Sequence, residues 1–124
     1  MKQKRPVNLD LTSLKYPPMA IASILHRIAG IVLFLLFPML LYLFSLSLSS
    51  SATFQHVSEL LVNPYYKLML WIFSAALTYH LLAGIRHVCM DMGFGEGLEA
   101  GRRSAIIVIV FAIILIIFLG IWIW

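Results

Sequence analysis

The sequence predicts an all-α membrane protein with three transmembrane helices, its N-terminus cytoplasmic and its C-terminus periplasmic. Three observations carry that prediction. Of 124 residues, 62% are hydrophobic and 11% charged, and the mean hydropathy is +0.99. A soluble domain this small has too much surface for its volume to bury so many apolar side chains, whereas a bilayer receives them as solvent. Apolar runs of the roughly 20 residues needed to cross about 30 Å of hydrocarbon occur three times. The basic residues gather on one side of those runs. Although the pI is near 9.5, the nine Lys and Arg form no continuous stripe, so nucleic acid is not an expected partner. The single cysteine, Cys89, excludes an internal disulfide and any Cys-rich zinc or iron–sulfur motif, and reads as a small packing residue.

Residues 1–22 begin "MKQKRPVNLDLTSLKYPPMA" and read as a polar cytoplasmic arm containing Pro6, Pro17 and Pro18. The arm lacks the apolar region and cleavage site of a secretory signal and contains an acidic residue, unlike most transit peptides. It either lies extended along a soluble partner or is disordered. Residues 23–124 form the membrane anchor. The first span is expected over Ile24–Leu46, with Pro38 kinking the helix without ending it. The loop "SSSATFQHVSELLVNP" holds a short amphipathic helix capped by Thr53, with Phe54, Val57 and Leu61 on one side, resting on the outer surface and stopping at Asn63-Pro64. His56 there is a solvated histidine with no assigned role.

The second span is expected over Tyr66–Val88 and the third over Ala105–Trp124, where Trp122 and Trp124 suit an interfacial aromatic belt. Lys2, Lys4, Arg5, Lys15 and Arg27 lie at or before the first span, and Arg86, Arg102 and Arg103 flank the connection between the second and third. No Lys or Arg separates the first two spans until Lys67. This asymmetry sets the orientation. There is no internal repeat and no second domain.

Polar residues inside these spans are the candidates for function. His80, Gly84, His87 and Asp91 follow i, i+4, i+7, i+11 and share one helical face. Counted from Val88, His80 lies about 12 Å deep at 1.5 Å per residue. An unsatisfied polar group there would cost several kcal/mol, so the residue carries a functional presumption. A hydrogen bond to a neighbouring helix, a proton relay and axial ligation of a haem iron all remain open. Gly84, one turn on, favours the last by removing a side chain where a porphyrin would lie, though glycine also serves close helix packing. Arg86 is either an anchor at the inner interface or a partner for a haem propionate, a lipid phosphate or a carboxylate. His87 is a candidate for a proton path, and Asp91 is either that or a solvated loop residue.

In the first span, Ser23, His26, Arg27 and Gly30 share a second face. A hydroxyl, an imidazole and a guanidinium at the membrane boundary suit a quinone, a flat apolar ring whose oxygens need donors. The competing reading makes Ser23 a helix cap and Arg27 an interfacial anchor.

The segments "RPVNLDL", "SILHR" (Ser23–Arg27), "HLLAGIRHVCMDMG" (His80–Gly93) and "AGRRSA" together resemble the cytochrome b membrane-anchor subunit of bacterial succinate dehydrogenase, over nearly the whole chain. Ala29 departs from the family pattern, which often has Ser or Thr there. The resemblance implies that His80 is one axial ligand of a haem b shared with a second small membrane-anchor subunit, which supplies the other histidine. It implies that Ser23 and Arg27 line a ubiquinone site, that His26 and Arg27 lie near the haem propionates, and that Asp91 helps deliver protons. It also implies an iron–sulfur subunit and a flavoprotein subunit, which hold the iron–sulfur clusters and the FAD. The expected location is the bacterial inner membrane, within a larger helix bundle and with a higher oligomer of the four-subunit complex allowed. Rival readings are the anchor of a fumarate reductase working with menaquinone, a haem-free proton-pathway or transport subunit, and a structural anchor without cofactor.

Overall fold

A computed structural model of the chain describes residues 15–124. The segment "RPVNLDL" and most of the expected arm lie outside the described residues. Four helices follow in order: α1 Pro18–Ser49, α2 Ser51–Val62, α3 Pro64–Asp91 and α4 Leu98–Ile123. There is no strand among the described residues. Helices α1, α3 and α4 are each long and apolar enough to cross a membrane.

The helices outrun the apolar runs that predict them. α1 starts at Pro18 rather than Ile24, because proline suits the first helical position, where its missing N–H has no intrahelical partner. The stretch from Pro18 to Ala22 is therefore helical, and Ser23 lies inside the helix instead of capping it; Pro17 is the cap residue. The helix runs through Pro38. Thirty-two residues at 1.5 Å each make about 48 Å, more than the hydrocarbon needs.

The short helix between the first two spans is present, but its cap is Ser50. The Ser50 hydroxyl accepts from the Thr53 N–H at 3.1 Å, while the Ser50 N–H donates to Thr53 Oγ1 at 3.0 Å. Thr53 thus occupies the third position of a capping box. Val57 is buried and Phe54 exposed. Asn63 both ends α2 and caps α3, accepting from the Tyr65 N–H at 2.9 Å, with Pro64 in the first turn.

α3 closes in a Schellman turn. Phe94 N–H donates to the Cys89 carbonyl at 2.9 Å and Gly93 N–H to the Met90 carbonyl at 3.0 Å. Gly93 takes a φ of 89°, a left-handed conformation that favours glycine. α4 starts at Leu98 rather than Ala105, which places Arg102 and Arg103 on its first turns.

The three long helices meet along small residues. Ala29 of α1, Ala83 of α3 and Ala112 of α4 surround the buried ring of Tyr79, and Ala22 and Ala105 are buried nearby. Small side chains let helix backbones approach where no hydrophobic force drives them together. Large apolar residues such as Phe34, Leu35 and Phe118 point outward. At one end of the bundle Trp71 Nε1 donates to the Ile116 carbonyl at 3.0 Å, and Gly120 makes room for that indole. The Lys67 ammonium stands 5.8 Å from the Trp124 ring. At the other end the start of α1, the end of α3 and the start of α4 come together.

Candidate functional site

At that second end, α1 and α3 interlock through two histidines and two glycines. His26 of α1 stacks on His80 of α3, with ring centroids 4.2 Å apart and planes 17° from parallel. Gly30 stands against His80: a Cβ there would lie 3.3 Å from His80 Cε1. Gly84 stands against His26 in the same way, its would-be Cβ 3.6 Å from His26 Nε2. Each glycine follows the histidine of its own helix by one turn and seats the histidine of the other.

That seating orients His80. Its Nδ1 lies 3.3 Å from the His26 carbonyl oxygen. A carbonyl only accepts, so the attractive arrangement has Nδ1–H donating and leaves the Nε2 lone pair unused. The approach is open because Gly30 has no side chain beside that carbonyl. Second-row contacts of this kind typify histidines that ligate metals through the other ring nitrogen. His80 also lines a groove of about 490 Å³ along the outer side of α3, with Gly84, Ile85, Val88, Cys89 and Met92.

His26 Nε2 is buried and has no hydrogen-bond partner. Buried polar atoms are rarely left so. His87 lies on the same side, its ring centroid 5.6 Å from that of His26 and tilted 42°. Three imidazoles therefore meet at one helix crossing, yet among the described residues no group of three has the arrangement of a metal site.

Ser23, one turn before His26 on α1, is half-buried, and Arg27, the residue after His26, is exposed. Asp91 is the last residue of α3, is exposed and follows His87 by four positions. The two faces read from the sequence thus adjoin, with His26 and His80 joining them.

Arg86 belongs elsewhere. Its Nε donates to Ser104 Oγ at 2.9 Å and its Nη2 to the Gly101 carbonyl at 3.0 Å; Ser104 Oγ donates to the same carbonyl at 3.0 Å. One step along α3 from His87 turns the side chain about 100° toward α4. The side chain is thus tied within the chain, from the end of α3 to the start of α4. Tyr79, which carries no sequence signal beyond its type, donates its buried hydroxyl to the Ala22 carbonyl at 2.9 Å and fixes α1 on α3 two turns from Arg86. Gly30 was legible only as a member of the Ser23 face, because its function depends on a residue fifty positions away.

Comparison with known proteins adds an independent line. A family model described as the succinate dehydrogenase/fumarate reductase transmembrane subunit matches residues 1–119. The chain is 50% identical over 125 residues to the succinate dehydrogenase cytochrome b556 subunit of Coxiella burnetii, covering all of both chains. It is 34% identical over 112 residues to that of Rickettsia prowazekii, covering 90% of this chain and 87% of the other. Against that of Paracoccus denitrificans it is 30% identical over 102 residues, covering 82% and 78%.

Proposed function

We propose, from the premise that the chain belongs to the succinate dehydrogenase/fumarate reductase transmembrane subunit family, that it helps hold a haem b and a quinone in a complex oxidising succinate. The observation that carries this reading is the orientation of His80: Nδ1 held by the His26 carbonyl at 3.3 Å, and Nε2 available beside the apolar groove that Gly84 and Val88 line.

These residues suit a haem. His80 Nε2 would hold the haem iron beside the groove that Gly84 also lines, and His26 Nε2, buried without a partner, would gain one from a propionate, with Arg27 next to it in sequence to balance its charge. The haem, when bound, supplies one-electron redox capacity in the membrane. A second histidine ligand would come from a partner membrane subunit.

Ser23 and Arg27 would bind the quinone at the edge of the same face. The hydroxyl donates to a ring oxygen, and the guanidinium favours the negative charge that reduction builds there. Reduction to quinol also takes up two protons. His87 and Asp91, in line toward the end of α3, would hold protons on their way to the quinone oxygens. The soluble flavoprotein and iron–sulfur subunits would dock over this end, which carries Lys15, Arg27, Arg102 and Arg103. By the charge rule it faces the cytoplasm of a bacterial inner membrane.

The test is made on the purified complex. His80→Ala should abolish or shift the b-type haem spectrum. Ser23→Ala and Arg27→Lys should lower quinone reduction by about tenfold or more while succinate oxidation by a soluble dye stays intact, as expected where a donor acts on developing charge. An unchanged spectrum removes His80 as ligand. Equal loss of dye and quinone activity shows an assembly role for Ser23 and Arg27.

A further inference from the structure

The hydroxyl of Tyr79 satisfies nothing that lacks a partner. The side chain is 8% exposed and lies among Ala29, Ala83 and Ala112, where a phenylalanine ring would fill the same space. Its O–H donates to the Ala22 carbonyl at 2.9 Å. That carbonyl belongs to the first turns of α1 and, as a helical acceptor, already takes the amide N–H of His26. A buried hydroxyl carries a desolvation cost that its hydrogen bond then offsets, so the phenol adds little stability over a plain ring. What the bond supplies is a fixed distance between two helices.

The next residue of α3 makes the matching contact. His80 Nδ1 lies 3.3 Å from the His26 carbonyl oxygen, and Ala22 and His26 are i and i+4, so their carbonyls stand in one row along α1. Gly30, one further turn along that row, is the glycine that seats His80. Tyr79 thus grips the row from the small-residue core, and His80 grips it from the histidine face. The turn between the two gripped carbonyls contains Ser23 and ends on His26. A slide of α1 along α3 would change the Nδ1 contact and the place of Ser23 together. At 3.3 Å that contact is already longer than the usual N–H···O range of about 2.7–3.2 Å, so a small slide would break it.

We propose that Tyr79 is a positioning residue for the site: its hydroxyl sets the register of α1 on α3, and with it the hydrogen bond on His80 Nδ1 and the placement of the Ser23 hydroxyl. The proposal rests on the reading of His80 as a haem ligand and of Ser23 as a quinone contact. An acceptor on Nδ1–H makes an imidazole a stronger donor through its other nitrogen, and hydrogen bonding behind an axial ligand is one of the protein's levers on a haem. Loosening the Tyr79 grip weakens that donation, which favours the reduced iron.

The assembled complex carrying Tyr79→Phe tests this. The substitution keeps the ring and leaves no polar atom unpaired, because the Ala22 carbonyl retains the His26 amide. The haem reduction equilibrium should move about three- to tenfold toward the reduced form, about 30–60 mV upward for a one-electron couple. The KM for quinone should rise about threefold with kcat unchanged, as when a binding contact is weakened, and succinate oxidation by a soluble dye should stay the same. Trp71→Phe is the control. It removes another donor from α3 to a helix carbonyl, that of Ile116 at 3.0 Å, at the opposite end of the bundle. It should lower the melting temperature of the complex at least as much as Tyr79→Phe does, yet leave the potential and the KM in place. A natural potential and KM in the Tyr79→Phe complex overturn the proposal. So does an equal shift in both variants, which marks general loosening of the bundle. His80→Ala separates the two failures. Loss of its b-type spectrum beside an unmoved Tyr79→Phe potential overturns the positioning role alone, whereas an unchanged His80→Ala spectrum overturns the haem reading and the proposal with it.

Discussion

At residue scale, the site is governed by what glycine leaves out. A Cβ on Gly30 would come within 3.3 Å of His80 Cε1, whereas one on Gly84 would rest 3.6 Å from His26 Nε2. The first distance is tighter than ordinary packing and requires His80 to give way; the second is van der Waals contact. Gly30→Ala should therefore weaken the contact between His80 Nδ1 and the His26 carbonyl, lower the thermal stability of the complex by about 1–3 kcal/mol as overpacking does, and shift the haem spectrum. Gly84→Ala should be neutral to stabilising by up to about 1 kcal/mol, because the helix gains from alanine and the new methyl meets only ordinary contact. Thermal melts and spectra of the two variants decide it, and the reverse order would mean that the interlock is misdescribed. The histidine and arginine positions were legible in the sequence because ionisable side chains stand out in an apolar run. The pairing of Gly30 with His80 was not, since stacking across a helix crossing depends on rotation and register that one-dimensional spacing does not contain.

Among the elements, α3 is the one that ties the others together. Tyr79 reaches the Ala22 carbonyl of α1, Trp71 the Ile116 carbonyl of α4, and Arg86 both Ser104 and Gly101 near the start of α4. Read from the sequence, Arg86 was an interfacial cation whose charge mattered; in the fold, its two directed donors matter more. Arg86→Lys keeps the charge but cannot present a planar fork to two acceptors. It should destabilise the complex by about 1.5–3 kcal/mol, the range for hydrogen bonds involving a charged group. An Arg86→Lys complex that melts with the natural one would return Arg86 to the role of anchor. Helix existence was legible from length and hydropathy, and the Asn63-Pro64 boundary from its turn chemistry. The starts at Pro18 and Leu98 were not, because residues of mixed polarity continue a helix as readily as apolar ones, and hydropathy marks only the part that meets lipid. Likewise Ser50 and Thr53 both suit a cap, and only the reciprocal bonds of the box tell which comes first.

For the whole molecule, the question is what the three spans can do without company. The proposed haem would need two imidazoles whose ring-plane lone pairs converge on it. His26 and His80 are stacked face to face at 4.2 Å with nearly parallel planes, so their lone pairs run side by side and do not converge. His87 is tilted by 42° against His26, with ring centroids 5.6 Å apart, too close for the two to hold one iron between them. The face that carries Ser23, His80, His87 and Asp91 is built by α1 and α3 alone, with α4 packed behind it. Expressed by itself, the chain should insert into membranes, since its apolar surface needs only lipid, yet membranes should lack the low-spin b-type spectrum of a haem with two histidine ligands. Co-expression with the second membrane subunit should restore that spectrum, and His80→Ala in the co-expressed pair should remove it again. A low-spin spectrum from the chain alone would require two of its own imidazoles to swing apart from the stack, or two copies to share one iron, and the bridging of unlike subunits by His80 would no longer be needed.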